Sequence, residues 1–555
     1  MNRASSGQCL LGASLTGVCA AVGSALVLGA GLGGLNPILA GAALLTGLVA
    51  AGFTWRSIPP GSKHPVDAWL IVMAMVFALA SLRAFLWLLY PVGDEWRILS
   101  PYNLGDLSLH IQFIRYFAGG VPFWPESPIL SGVPLSYPVG ADLWNSLLLL
   151  CGIPLERGLV WTALAGALLT GVALARWGGA FTMAAFLFAG GLAGLRIFQT
   201  GSIEDFQSGV EWKNLFLTMF VTQRGLLYAL PCGLFLMNAW RERLFGSGPG
   251  VPWPVLGLLY ATMPVFSIHA FLFLSAVLAV AFVLHAPSRA VLAAFVGAAF
   301  LPASALVWCV TGGFSVQSGL RWLPGWMQDD APILFWVVNF GLALPLTIWL
   351  AGRVFWKGPA DARVFVGAAG IVFLASCFIS FAPWPWDNTK LMIWAWLAVA
   401  PFLWDLVLRP WPVLWRFLAV VGLFATGGLS LIGGLDGRHG YTLVKKSELH
   451  AASEALKNVP PGARIAVEPR FNHPVLLLGH PVVCGYDGHL WSHGLPYQKP
   501  MQALQGVLQR QEGWRGTALG LGADAVYFNG TPPVVELLPS GRNRPPEQRD
   551  QDKKD

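Results

Sequence analysis

The chain has 555 residues, 55% of them hydrophobic and only 11% charged, against about 25% charged in a typical soluble domain. Its 35 Lys and Arg exceed its 28 Asp and Glu, for a formal charge of +7, but the basic residues sit in short gaps between apolar runs. That is a membrane-orientation pattern rather than a nucleic-acid footprint, and with charge crowded into residues 436–555 it excludes a chain of several soluble domains.

Thirteen apolar stretches reach roughly the 20 residues a membrane span needs: 8–32, 36–55, 68–90, 156–175, 180–197, 222–239, 251–266, 269–286, 289–312, 332–352, 364–382, 391–408 and 415–435. The first follows a lone Arg3 and has the look of a signal peptide. The second apolar run follows at once, which favours a retained helix. The stretch 141–153 is short and reads as a helix lying at the interface. Six of the seven Cys lie in apolar stretches, so neither a disulfide framework nor a CxxC metal signature is present.

With the N-terminus inside, short inner loops collect Arg56 and Lys63, Arg241 and Arg243, and Arg353, Lys357 and Arg363, as the positive-inside rule requires. Most acids before residue 436 then fall outside, among them Asp94, Glu95, Asp106, Asp142, Glu204, Asp205 and Asp387. Orientation does not need that bias. It reads either as ordinary solvated loops or as a polar cleft on the outer face.

The longest outer loop covers 91–155. Asp106 and His110 lie four apart on a helix expected over 106–117 and share a face there. A carboxylate and an imidazole so placed suit base chemistry with a metal or phosphate partner. Equally, Asp106 reads as the N-cap of that helix with His110 solvated. In the next outer loop, Glu204-Asp205 is a hard-oxygen pair suited to a divalent cation, and also an ordinary acidic surface pair. Arg224 opens the following helix, where its planar fork suits a phosphate or simply snorkels to headgroups. His269 sits in a break between two apolar runs, a functional position or a satisfied structural histidine. In PWPWDNTK, Asp387 and Lys390 are spaced for an ion pair or a ligand contact, and the Trp pair for a sugar or the aromatic belt.

Residues 436–540 read as a small α/β module. Helices are expected over about 447–458, with Ser447 as N-cap, and about 498–510, with short apolar runs at 465–467, 482–484 and 525–528. His489 and His493 have the spacing of shared metal ligands, yet no carboxylate or Cys pattern supports zinc. The Pro-rich charged tail 541–555 reads as disordered.

A span ending in a long outer loop that opens GDLSLHIQFIRYFAGG and continues GVPLSYPVGADLW, then an interfacial helix, further spans and an outer module, resembles the GT-C superfamily of membrane glycosyltransferases. QRGLLYALP, PWPWDNTK and VVCGYDGHLWSHGLPYQ are similar to segments of a large bacterial set of such proteins. The resemblance covers about 68–530, leaving 1–67 as two added N-terminal helices, 68–435 as the transmembrane core and 436–540 as the outer module. It implies an all-α polytopic bundle in a cell (inner) membrane, with its N-terminus cytoplasmic. It implies transfer of a sugar from a polyprenyl-phosphate donor to an extracytoplasmic glycan, lipid or protein acceptor, with inversion. Asp106 would be the catalytic carboxylate. Arg224 would face the lipid phosphate. Beside the resemblance, the residue pattern itself offers His110, His269, Asp387 and Lys390 for binding substrate or its phosphate. Glu204 and Asp205 would hold a divalent cation (Mg2+ or Mn2+). Two departures stand out: the Asp-Glu pair of related transferases is Asp106-Leu107 here, and no WWDYG-type motif is present. A non-catalytic scaffold of the same fold and a lipid or solute transporter remain as alternatives, although no internal repeat supports the transporter.

Overall fold

A computed structural model describes residues 6–59, 66–246, 250–313, 320–437 and 440–539. Arg3, Lys63 and the tail 541–555 lie outside the described residues. The chain is a polytopic α-helical membrane protein with a small α/β module at one end. Every stretch expected to span is at least partly helical. Among the described residues, however, eight helices are long and apolar enough to cross a membrane, or nine if a bent pair counts as one. The count of thirteen is therefore not reproduced. Trp253–Phe266 and Ile268–Leu284 are apolar but short, and Pro332–Phe340 with Ala343–Lys357 is a pair bent by 85°.

The pair 156–175 and 180–197 is instructive. One continuous stretch, Leu155–Leu187, carries non-helical dihedrals at Gly178 and Gly179, the latter at φ 66°. Left-handed φ of this kind costs a side-chain-bearing residue but not glycine. Phe77 packs against Phe186 with ring centroids 6.2 Å apart, and a Cβ on Gly171 would lie 3.2 Å from the same Phe77. In a straight helix Gly171 and Phe186 would be about 22 Å apart, so the chain reverses at the glycine pair. The second run is short because the chain leaves helix after Leu187.

Two ends of the bundle result. Gln8, at the start of the first helix, meets Glu242 at the end of Leu226–Phe245. Leu226 itself, about 24 Å away by helical rise, lines the cavity described below. The first helix thus begins at the end opposite the module.

The module is tied to the loop 91–155 by main chain. Tyr441–Lys445 pairs antiparallel with Glu95–Ile98, which pairs with Tyr90–Val92. Ile465–Ala466 runs parallel to Ala525–Phe528, whose other edge takes Val534–Leu537. Val482 and Gly485 donate their N–H groups to Pro128 and Ile129 carbonyls at 2.8 Å each, and Arg464 Nη2 meets Glu126 Oε2 at 2.9 Å. The first module helix is Lys446–Ala455, and Ser447 is not its N-cap. Its opening turn is held from outside: the Ser447 hydroxyl donates to Asp94 Oδ2 at 2.5 Å and the Ser447 N–H to Oδ1 at 3.1 Å. That contact keeps the Asp94 carboxyl below its usual range. The second module helix is Gln498–Leu508.

Candidate active site

The loop helix expected over 106–117 forms as Leu104–Ala118, with Asn103 at its N-cap position. Asp106 is therefore the third helical residue, and the capping explanation for it falls away. Its neighbours set its chemistry. Asp106 lines a cavity of about 340 Å³ at the module end of the bundle. Gln223 Nε2 donates to its Oδ2 at 3.2 Å. Desolvation pushes the Asp106 pKa up, opposed in part by the charges of His110, Lys390 and Arg224. A carboxylate with little water and one weak donor is a proton acceptor in waiting.

His269, Asp387 and Lys390 line the same cavity. Lys390 Nζ lies 3.1 Å from Asp387 Oδ1, so the expected i, i+3 pair forms inside the cavity rather than on an outer surface. His269 stands in the first turn of Ile268–Leu284, whose N-cap Ser267 accepts the Ala270 N–H at 3.2 Å and also faces the cavity. The positive end of a 17-residue helix therefore opens beside Lys390, an arrangement that attracts an anion.

His110 and Arg224 stand elsewhere. His110 is 2% exposed and shares a 2.8 Å hydrogen bond with Asp142, itself 1% exposed. Burial raises the Asp142 pKa, and His110 and Arg224 oppose that shift. His110, expected either to bind substrate or to be solvated, is instead a buried partner of Asp142 outside the cavity lining. Arg224 is also only 2% exposed. It does not reach the cavity wall: Nη2 donates to the Val221 carbonyl at 2.8 Å, while Nε and Nη1 have no partner. Its placement at the mouth, facing a lipid phosphate, is corrected. It closes a buried group with Asp142 and His110 because the turn before Leu226–Phe245 points it inward.

Glu204 and Asp205 do not line the cavity. Glu204 is exposed and accepts from the Ser202 hydroxyl at 2.8 Å. Asp205 lies beside Gln207 and Tyr102, and burial raises its pKa. Among the described residues no three His, Cys, Asp or Glu side chains are grouped to hold a metal. Two adjacent carboxylates, one turned to solvent, do not by themselves fit a divalent cation.

Several wall residues escaped the sequence reading. Tyr137 stacks on His493 at 4.9 Å and meets His110 edge-on at 5.9 Å. Ser492 and His493 bring the module into the cavity, and Lys213, Gln223 and Ser267 complete the wall. Among the described residues His489 and His493 belong to no group of three His, Cys, Asp or Glu side chains placed to hold a metal. His489 lies against Gly105, where a Cβ would come 3.3 Å from Nε2, and burial lowers its pKa to about 4. His493 is pushed down to about 3 by burial, then by His489, Lys390 and His110. The HLWSH spacing was the available signal, but it pointed to metal ligation rather than to a cavity wall.

No known family model matches the sequence, and no curated protein sequence does. Solved structures are similar in overall course. The oligosaccharyltransferase of Archaeoglobus fulgidus, tethered to an acceptor peptide, is 11% identical at TM-score 0.49 and matches 83% of this chain and 69% of its own. The arabinofuranosyltransferase AftD from Mycobacteria is 14% identical at TM-score 0.45, over 84% of this chain and 35% of that one. ArnT from Cupriavidus metallidurans, bound to undecaprenyl phosphate, is 15% identical at TM-score 0.40, over 84% and 96%.

Proposed function

We propose that the protein transfers a sugar from a polyprenyl-phosphate donor to an acceptor at the module side of the membrane. The observation that carries this reading is one cavity that holds two chemically distinct sets of groups. Asp106 supplies a desolvated carboxylate. Ser267, His269 and Lys390 supply anion-binding donors in the same wall, which also contains apolar Leu226 and Phe266. A lipid phosphate needs that combination of donors and apolar surface.

In the proposed reaction the acceptor hydroxyl oxygen attacks the anomeric carbon as the bond from that carbon to the phosphate oxygen breaks. The hydroxyl proton passes to Asp106, and the lipid phosphate leaves with the bonding electron pair. Lys390, the His269 ring and the helix N-terminus stabilise the charge that develops on it. Attack opposite the leaving group inverts the anomeric centre. Arg224 acts from below: its charge offsets Asp142 and favours ionisation of Asp106. No step is assigned to a cation.

The module side is taken as extracytoplasmic and the membrane as the cell membrane. In support, Asp361, in the loop region of Arg353, Lys357 and Arg363, pairs with Arg241 at the end opposite the module. The test is the pool of lipid-linked sugars in cells lacking the gene or carrying only Asp106→Asn. A polyprenyl-phosphate sugar should accumulate in both. A pool unchanged from wild type in both strains overturns the assignment.

A further inference from the structure

We propose that the cavity wall formed by Lys213, Trp384 and Trp386 binds the acceptor, and that the acceptor is a saccharide bearing a carboxylate or phosphate group. This rests on the transferase reading above and names the substrate class that the same cavity selects.

The aromatic part is built rather than incidental. Trp384 and Trp386 stack with centroids 4.9 Å apart. Trp386 is 7% exposed, and its Nε1 donates to the Glu211 carbonyl at 3.0 Å. A Trp of a membrane-interface belt faces headgroups, whereas these two face the cavity. Trp491 of the module stands 6.1 Å from Trp384 and extends the surface. Flat, rigid indole faces suit the C–H face of a pyranose ring and cost little side-chain entropy on binding.

The charge is the second observation. Lys213 Nζ lies 5.6 Å from the Trp386 ring centroid and lines the cavity. Of the two cavity lysines, Lys390 lies 3.1 Å from Asp387 and is the one assigned above to the donor phosphate. Lys213 has no carboxylate within ion-pair distance among the described residues. Asp205 is near enough to feel its charge but does not line the cavity. Asp106 and Asp387 are the carboxylates in the wall, and the second is paired. Once the donor phosphate occupies the Ser267, His269 and Lys390 donors, Lys213 is the cation left beside the Trp pair. A ring stacked there brings an anionic substituent within its reach.

The experiment is equilibrium binding to the full-length protein in lipid nanodiscs. The probes are a hexuronate trisaccharide, a singly phosphorylated neutral trisaccharide, the plain neutral trisaccharide and inorganic phosphate. At least one acidic trisaccharide should bind about tenfold or more tighter than the neutral one. The tighter of the two identifies the group as carboxylate or phosphate. Lys213→Gln should erase that preference, Lys213→Arg should keep most of it, and Trp384→Ala should weaken all three saccharides together. Equal affinity for acidic and neutral saccharides, a preference indifferent to Lys213→Gln, or no saccharide binding each overturns the proposal. So does inorganic phosphate binding as tightly as the best saccharide. Binding needs no turnover, so the assay reads this site separately from sugar transfer. Acidic-saccharide binding in a protein that transfers no sugar would sink the transferase reading and leave this site standing.

Discussion

The two ends of the bundle treat charge in opposite ways. At the end away from the module, Glu242 accepts from Gln8 at 3.0 Å and Asn238 at 2.9 Å and lies 3.6 Å from Arg176. Arg241 Nε meets Asp361 at 2.7 Å, with its guanidinium over Phe402. Each of these side chains has its partner. At the module end, Asp106 has one 3.2 Å donor, Lys213 has no ion pair among the described residues, and Arg224 is buried with two nitrogens unmatched. Buried polar groups in folded proteins are nearly always satisfied. A satisfied network fixes helix ends, whereas Asp106 and Lys213 line a cavity that a substrate can enter.

The largest effect that tests this contrast is at Asp106. Asp106→Asn keeps the volume and removes the negative charge, so sugar transfer should fall by a factor on the order of 100 or more. Stability should move the other way. A carboxyl whose folded pKa is raised binds its proton more tightly in the folded state. Its stabilising contribution is present below the unfolded pKa and is lost as pH rises through the folded value. At neutral pH the ionised side chain is a burden on the fold, so the Asn variant should melt no lower than wild type. Membrane abundance, melting temperature and transfer rate on one preparation decide the matter. A variant that transfers at the wild-type rate removes Asp106 from the chemistry.

Arg224 and Arg241 set the two ends against each other directly. Arg224→Met leaves Asp142 and His110 buried without the positive charge that offsets the carboxylate and removes the guanidinium hydrogen bond to the Val221 carbonyl, a loss of about 1–3 kcal/mol. Arg241→Met breaks a pair that is partly exposed, at 33% and 16% of the side chains, and should cost about 1–3 kcal/mol. The outcomes diverge in function. The Arg241 variant, per folded molecule, should transfer sugar as wild type does, whereas the Arg224 variant should show a transfer profile shifted to higher pH, because a positive charge that favours ionised Asp106 is gone. Equal pH profiles for both variants would show that Arg224 is architecture like Arg241.

Much of the fold was legible because apolar runs and basic loops obey membrane physics regardless of packing. The break at Gly178 and Gly179 falls between the expected stretches 156–175 and 180–197. Span count was not legible, because the chain leaves helix after Leu187, because Trp253–Phe266 and Ile268–Leu284 are short, and because Pro332–Phe340 and Ala343–Lys357 break at 85°. Hydropathy windows do not see where a helix stops or bends. Asp106, His269, Asp387 and Lys390, singled out by residue type and position beside helix mouths, line one cavity. Arg224 was misplaced because sequence gives the start of a helix but not which way its first turn points. Tyr137 and His493 were missed for a different reason. Their stack joins positions more than 350 residues apart in chain numbering, and no local period links a membrane loop to a module helix.

That long-range stack gives the smallest effect and the subtlest test. His489 and His493 are held neutral, with pKa values lowered to about 4 and about 3 by burial, against about 6.5 when unfolded. For a base with a depressed folded pKa, the unfolded state binds the extra proton first. The stability contribution is complete above the unfolded value and is lost as pH falls from about 6.5 toward 4 and 3. The helical bundle has no such dependence through these groups, so acid should loosen the module against the cavity before the membrane part unfolds. Limited proteolysis between pH 7 and 5 should show cleavage within 441–539 rising while the membrane fragment stays intact. A protein carrying both His489→Gln and His493→Gln should lose most of that slope, since amides do not titrate. If the double variant loosens with the wild-type pH dependence, the docking of the module is governed by other groups, with His473, also lowered to about 4, as the next to replace.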